Sequence, residues 1–194
     1  MMLRGICKLS VISILVALAS GCSYVPRVDQ QDYCYADYAF EAEVKSPKEQ
    51  EDNSGYYKYE IYIHTVFKGE IKEKLATDTI YGDGPFHSCG PQILNVGTTY
   101  LIYAKERDGK VKVVTYKAID DVSDDDIERM TTKYDCSCQI KFNYDKIRGI
   151  PNAPELPKAT ENECNVPDEW CSRNAFCQRN DEGRCTWGEL GSCN

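Results

Sequence analysis

Apolar and polar residues alternate along Tyr35–Val44, Tyr56–Phe67, Thr77–Tyr81, Tyr100–Lys105 and Lys110–Lys117, and all of these stretches are rich in β-branched and aromatic side chains. That pattern predicts five short strands. Turn-forming residues separate them at Asp52-Asn53-Ser54-Gly55, Lys68-Gly69, Asn95-Val96-Gly97 and Asp108-Gly109-Lys110, the last a signal for a two-residue hairpin. The period then changes: Ser123 precedes Asp124-Asp125-Asp126, and Ile127, Met130 and Tyr134 recur at helical spacing. A capping residue followed by acids in the first turn predicts a helix of about three turns. Five strands and a late helix give a mainly β fold, a small closed barrel of the oligonucleotide/oligosaccharide-binding (OB-fold) type. Such barrels host many functions, so the fold alone names none.

Beyond Cys138 the alternation stops. Arg148–Pro157 carries Pro151, Pro154 and Pro157 and is expected to be an extended connector. Cys164–Asn194 has five cysteines and too few aliphatic residues for a core, so disulfides must substitute for burial there. Two units are expected, 22–138 and a small disulfide-rich subdomain, 139–194. At the other end, Arg4 and Lys8 precede the apolar block Leu9–Leu18 and the small residues Ala19-Ser20-Gly21. This pattern predicts a signal peptide over 1–21, cleaved to leave Cys22 as the new N-terminus. The block is too short for a membrane span. Ala-Ser-Gly-Cys also resembles a lipobox, which would make Cys22 a lipidated anchor.

Removing that segment discards Cys7 and leaves ten cysteines, an even set suited to disulfides in an oxidising, extracellular compartment. Cys136-Ser137-Cys138 is too tight for a zinc knuckle, and His64 and His87 are not spaced to complete one. The mature chain keeps 21 basic against 31 acidic residues, a formal charge of −10. Nucleic acid and anionic surfaces are therefore poor partners. Asp124–Asp126 lacks the loop pattern of a calcium site. With two histidines, no nucleophile–base motif and no Gly-rich phosphate loop, the chain is not expected to be an enzyme.

Cys22-Ser23-Tyr24-Val25-Pro26, Gln30, Cys34-Tyr35-Ala36-Asp37 and Ala42 stand in a register that resembles the tissue inhibitors of metalloproteinases, whose inhibitory half is a netrin-like barrel. The resemblance continues through Tyr59-Glu60-Ile61, Val66-Phe67-Lys68-Gly69, Ser88-Cys89-Gly90, Tyr100-Leu101-Ile102, Cys136-Ser137-Cys138 and Cys177 to Cys185-Thr186-Trp187. It implies the pairs Cys22–Cys89, Cys34–Cys136, Cys138–Cys185 and Cys164–Cys177, which leaves Cys171 and Cys193 for each other. Two positions depart from the family. Tyr24 and Tyr116 replace two cysteines that bridge each other, a bond worth about 2–5 kcal/mol, of which a packed tyrosine pair returns about 0.5–1.5. Val28-Asp29 replaces a His-Pro pair.

The resemblance implies a secreted, monomeric inhibitor that binds a zinc metalloproteinase one to one. The α-amine and carbonyl oxygen of Cys22 would chelate the protease's catalytic zinc and displace its water; the chain would need no cofactor of its own. Ser23 would enter the primary specificity pocket, with Tyr24 and Val25 following along the cleft. A Cys22–Cys89 bridge would join them to Phe86, His87, Ser88 and Gly90 in one ridge. The loop Ser46–Gly55 is expected to contribute to selectivity. Cys22 could instead be a half-cystine alone, and the chain a netrin-like binding or immunomodulatory module without inhibition.

Overall fold

The structure is a computed structural model that describes residues 26–51, 55–71, 79–167 and 173–189. Five strands, β1 (Tyr38–Val44), β3 (Tyr56–Lys68), β4 (Thr79–Asp83), β5 (Thr99–Arg107) and β6 (Lys110–Ala118), form a closed barrel. Their order is β1-β5-β6-β4-β3, and β1 closes the circuit by pairing with β3. A short β2 (Glu49–Gln50) adds to β3 in the loop after β1. Every barrel pairing is antiparallel except β4 with β6.

The period of two works on both faces. Tyr38, Phe40, Ala42 and Val44 point into the barrel with Tyr59, Ile61, Ile80, Tyr100 and Ile102. Ala39, Leu101 and Tyr103 point outward yet are also buried, beneath Ala36 and Met130. The β5–β6 turn is the expected two-residue hairpin, with Arg107 opposite Lys110. Asp108 and Gly109 both take positive φ, 55° and 72°, which suits the right-handed twist of the flanking strands.

Two helices cover the outer face. The late helix starts as expected: Ser123 Oγ accepts from the Asp126 amide while Asp126 accepts from the Ser123 amide. It is regular only over α2 (Asp124–Glu128) and widens into a π-turn over Arg129–Lys133. The other helix corrects the expected first strand. Tyr35 ends α1 (Asp29–Tyr35), and β1 starts only at Tyr38. Nothing apolar repeats in Asp-Gln-Gln-Asp-Tyr-Cys-Tyr, so this helix is made by partners outside it. Lys68 Nζ donates to the carbonyls of Tyr33 and Ala36, each at 2.7 Å, closing its C-terminal end.

The tail packs on α1. Strands β7 (Gln139–Lys141) and β8 (Glu163–Asn165) pair in parallel, while β9 (Phe176–Arg179) and β10 (Cys185–Glu189) form a hairpin. Disulfides join Cys34 to Cys136, Cys138 to Cys185 and Cys164 to Cys177, the same residues that the resemblance joins. A short α3 (Tyr144–Ile147) precedes the proline-containing stretch. Val28, fully buried, packs with Phe142 and Ala175 of the tail. Gln30, 1% exposed, donates from Nε2 to the carbonyls of Asp135 (2.9 Å) and Cys177 (2.8 Å). Its Oε1 accepts from the Cys177 amide at 2.7 Å.

Asp29 lies between barrel and tail, accepting from the hydroxyls of Tyr103 (2.7 Å) and Tyr134 (3.1 Å). Burial pushes its carboxyl above the ordinary range, against those hydrogen bonds and the charge of Arg173. Burial, with Asp29 nearby, pushes both tyrosine hydroxyls upward as well.

Two outcomes are expected. Gln30→Leu strands the two buried backbone groups of Cys177 and frees the part-buried Asp135 carbonyl, and should lower stability by about 2–3 kcal/mol, read from chemical denaturation with the disulfides intact. At Asp29, the folded protein holds its proton to higher pH than the unfolded chain. The stability linked to this group is therefore full at low pH and is lost as pH rises from the ordinary carboxylate value through the raised one. Asp29→Asn keeps an acceptor and removes the titration, so its melting temperature should gain on the parent's from about pH 4 upward. Melts taken across pH 3 to 7 check the sign.

Candidate functional site

Strand β4 ends at Asp83, and the chain leaves the barrel to return at Gln92. Two hydrogen bonds close the neck of this loop: the Asp83 amide donates to Gln92 Oε1 and the Gln92 amide to the Asp83 carbonyl, both at 2.8 Å. Beside the neck the Gly84 amide donates to the Gly55 carbonyl at 3.0 Å. The approach is too close for a side chain, since a Cβ on Gly84 would sit 2.2 Å from that oxygen.

Five of the nine residues expected in the ridge lie on this loop. Phe86 is 83% exposed, an unusual placement for a phenyl ring, and His87, Ser88 and Cys89 are exposed beside it. Gly90 is half-buried at positive φ. Internal bonds fold the loop, from the His87 amide to the Gly84 carbonyl (3.2 Å) and from the Gly90 amide to the His87 carbonyl (2.9 Å). His87 Nε2 lies 3.2 Å from Asp83 Oδ1, so the histidine leans back on the neck rather than outward. Burial pushes the Asp83 carboxyl up, while His87 and Lys112 pull it down.

Cys89 is disulfide-bonded, and the other six described cysteines pair among themselves. Cys22, Ser23, Tyr24 and Val25 lie outside the described residues, as do Cys171 and Cys193. The sulfurs of Cys138, Cys177 and Cys185 come within 4.8 Å of one another, but all three are oxidised in disulfides and have no thiolate for a metal. Tyr116 packs edge-on against Tyr100, with centroids 5.6 Å apart, and Tyr24 lies outside the described residues. Among the described residues no helix is long and apolar enough to cross a membrane.

The loop presents an exposed aromatic, a hydroxyl and a half-cystine on a closed neck. The neck itself was not legible beforehand, because Gln92 belongs to no motif. The pair Gly82 and Gly84 flanking Asp83 was the available signal.

The family model for tissue inhibitor of metalloproteinase matches residues 20–187. The chain belongs to this family. Its members are inhibitors, not enzymes, which agrees with the absence of a catalytic motif in the sequence. Metalloproteinase inhibitor 2 of Homo sapiens is 27% identical over 208 residues, covering 95% of this chain and 89% of that protein. The protein of the same name from Cavia porcellus is 28% identical over 193 residues, covering 87% and 82%.

The neck gives a direct test. Gly84→Ala drives a methyl group into the Gly55 carbonyl and should destabilise the protein by about 1–3 kcal/mol, as overpacking does. Thermal unfolding of the variant measures the loss.

Proposed function

We propose that the chain is secreted by cleavage before Cys22 and inhibits zinc metalloproteinases stoichiometrically, one to one. The observation that carries this reading is the family match over residues 20–187, which takes in Cys22 as well as the loop of Cys89. Relatives whose names state metalloproteinase inhibition cover most of the chain. The disulfide at Cys89 supports a tether between the loop and the N-terminal segment, with Cys22 as the expected partner.

The chemistry follows from the cleavage. A new α-amine with a pKa near about 8 gives up its proton readily to a metal, whereas the amide nitrogen of an unprocessed chain does not. Amine and carbonyl oxygen of Cys22 form a five-membered chelate on the protease's zinc, and the water that would attack a peptide bond is displaced. Ser23 then enters the specificity pocket, and Tyr24 and Val25 occupy the cleft. Phe86, His87, Ser88 and Gly90 dock alongside. The neck at Asp83 and Gln92 keeps that contact surface ordered before binding, which lowers the entropy lost on docking.

One added alanine before mature Cys22 moves the amine out of chelating position. It should abolish inhibition of a matrix metalloproteinase catalytic domain in tight-binding titration, and equal inhibition by the extended protein would overturn the mechanism. Intact-mass spectrometry of the secreted protein checks the cleavage point and the absence of acyl chains on Cys22.

A further inference from the structure

We infer that three barrel tyrosines, Tyr59, Tyr100 and Tyr116, position the ridge loop by clamping the four residues at its return, Gln92 to Asn95, through their hydroxyls. The inference rests on the reading of that loop as the protease-contact surface.

Each of the four residues offers one backbone group to a phenol. Tyr59 Oη donates to the Gln92 carbonyl at 2.8 Å and accepts from the Leu94 amide at 3.4 Å. Tyr116 Oη donates to the Ile93 carbonyl at 3.3 Å, and Tyr100 Oη accepts from the Asn95 amide at 3.0 Å. An irregular segment thereby satisfies polar groups that a strand would satisfy by pairing. The rings that carry these hydroxyls cannot easily shift. Tyr59 is fully buried and Tyr100 5% exposed, both in the barrel core, and Tyr116 packs edge-on against Tyr100. Burial pushes the Tyr59 hydroxyl upward, so it stays protonated and able to donate.

Gln92 connects the clamp to the neck. Its carbonyl is held by Tyr59, while its side chain and amide hold Asp83, whose carboxylate holds His87. A Cβ at Gly82 would meet both the Tyr59 ring and Gln92 Cβ at 3.3 Å, so the segment is seated directly on the sheet. The hydroxyls therefore act on the ridge through Gln92 and the neck, as positioning groups rather than contact groups.

Hydrogen exchange followed by NMR, melting temperature and inhibition of a matrix metalloproteinase are measured together on Tyr59→Phe, Tyr100→Phe and Tyr116→Phe. Tyr103→Phe serves as the control, because the Tyr103 hydroxyl donates to Asp29 on the outer face and to none of residues 92–95. The clamp predicts that the Leu94 amide in Tyr59→Phe and the Asn95 amide in Tyr100→Phe exchange at least about 10-fold faster, with shifts moving at residues 85–90. It also predicts inhibition weakened by about 10-fold in these two variants and by about 3-fold in Tyr116→Phe, mainly through faster dissociation. Tyr103→Phe should lower the melting temperature without moving the ridge shifts or the inhibition. If Tyr59→Phe does not fold, the half-buried Tyr116 supplies the milder variant. Unchanged exchange at Leu94 and Asn95, or a loss of inhibition in Tyr103→Phe as large as in the clamp variants, would overturn the inference. A parent protein that inhibits no metalloproteinase would instead refute the proposed function, and the exchange and ridge shifts would still decide whether the hydroxyls hold the loop.

Discussion

One buried carboxamide joins the parts of this molecule. Gln30 uses both donors and its acceptor on backbone groups of Asp135 and Cys177, two segments far from it in sequence. The Cys177 groups are buried from water, so the alternative to their bonds is a stranded amide and carbonyl. The position of α1 follows from this demand. With α1 fixed, Cys34 meets Cys136 across 102 residues, and Lys68 reaches the last carbonyls of the helix. The segment just before α1 is fixed too, because Val28 is buried among tail residues.

The barrel was legible in the sequence because its stabilisation is periodic. Alternation in β1, β3 and β5 exposes the inward set directly, and Asp108-Gly109 states its turn type. Helix α1 was not legible for the opposite reason. Its seven residues carry no apolar repeat, and it owes its existence to a glutamine, a distant lysine and a disulfide. The late helix shows the intermediate case: its capping box was readable at Ser123 and Asp126, but the π-turn after Glu128 was not, since spacing of three and four also suits a regular helix. Of the proposed ridge, the family resemblance points to the residues around Cys89. The groups that hold them, Gln92 and the three tyrosines, were hidden because a tyrosine in a strand reads as packing, and nothing in the alternation shows where its hydroxyl ends.

The two departures from the family acquire physical roles once these contacts are known. Val28-Asp29 stands where the family has His-Pro, and it joins barrel to tail by an apolar residue in the tail cluster and a carboxylate beneath two phenols. Tyr116 stands where the family has a half-cystine, and it binds the Ile93 carbonyl and the Tyr100 ring.

The departure that the resemblance implies at Tyr24 and Tyr116 sets a disulfide against a hydroxyl clamp, and the two are not equivalent devices. A cross-link acts mainly by narrowing the unfolded ensemble, so its loss is felt by the whole molecule. The tyrosine hydroxyls act on the native state alone and on one short segment, Gln92 to Asn95. A bridge adds to global stability, while the clamp orders only the loop's return. Leu94, 3% exposed, belongs to the barrel core together with Tyr59 and Tyr100, so the clamped segment is seated by packing as well as by hydroxyls. Order at the loop's return then depends on phenol contacts as well as on the core that places them. Under the proposed function, affinity for a protease, which depends on how often the ridge is already in place, is tuned by hydroxyls that act on it through Gln92 and the neck.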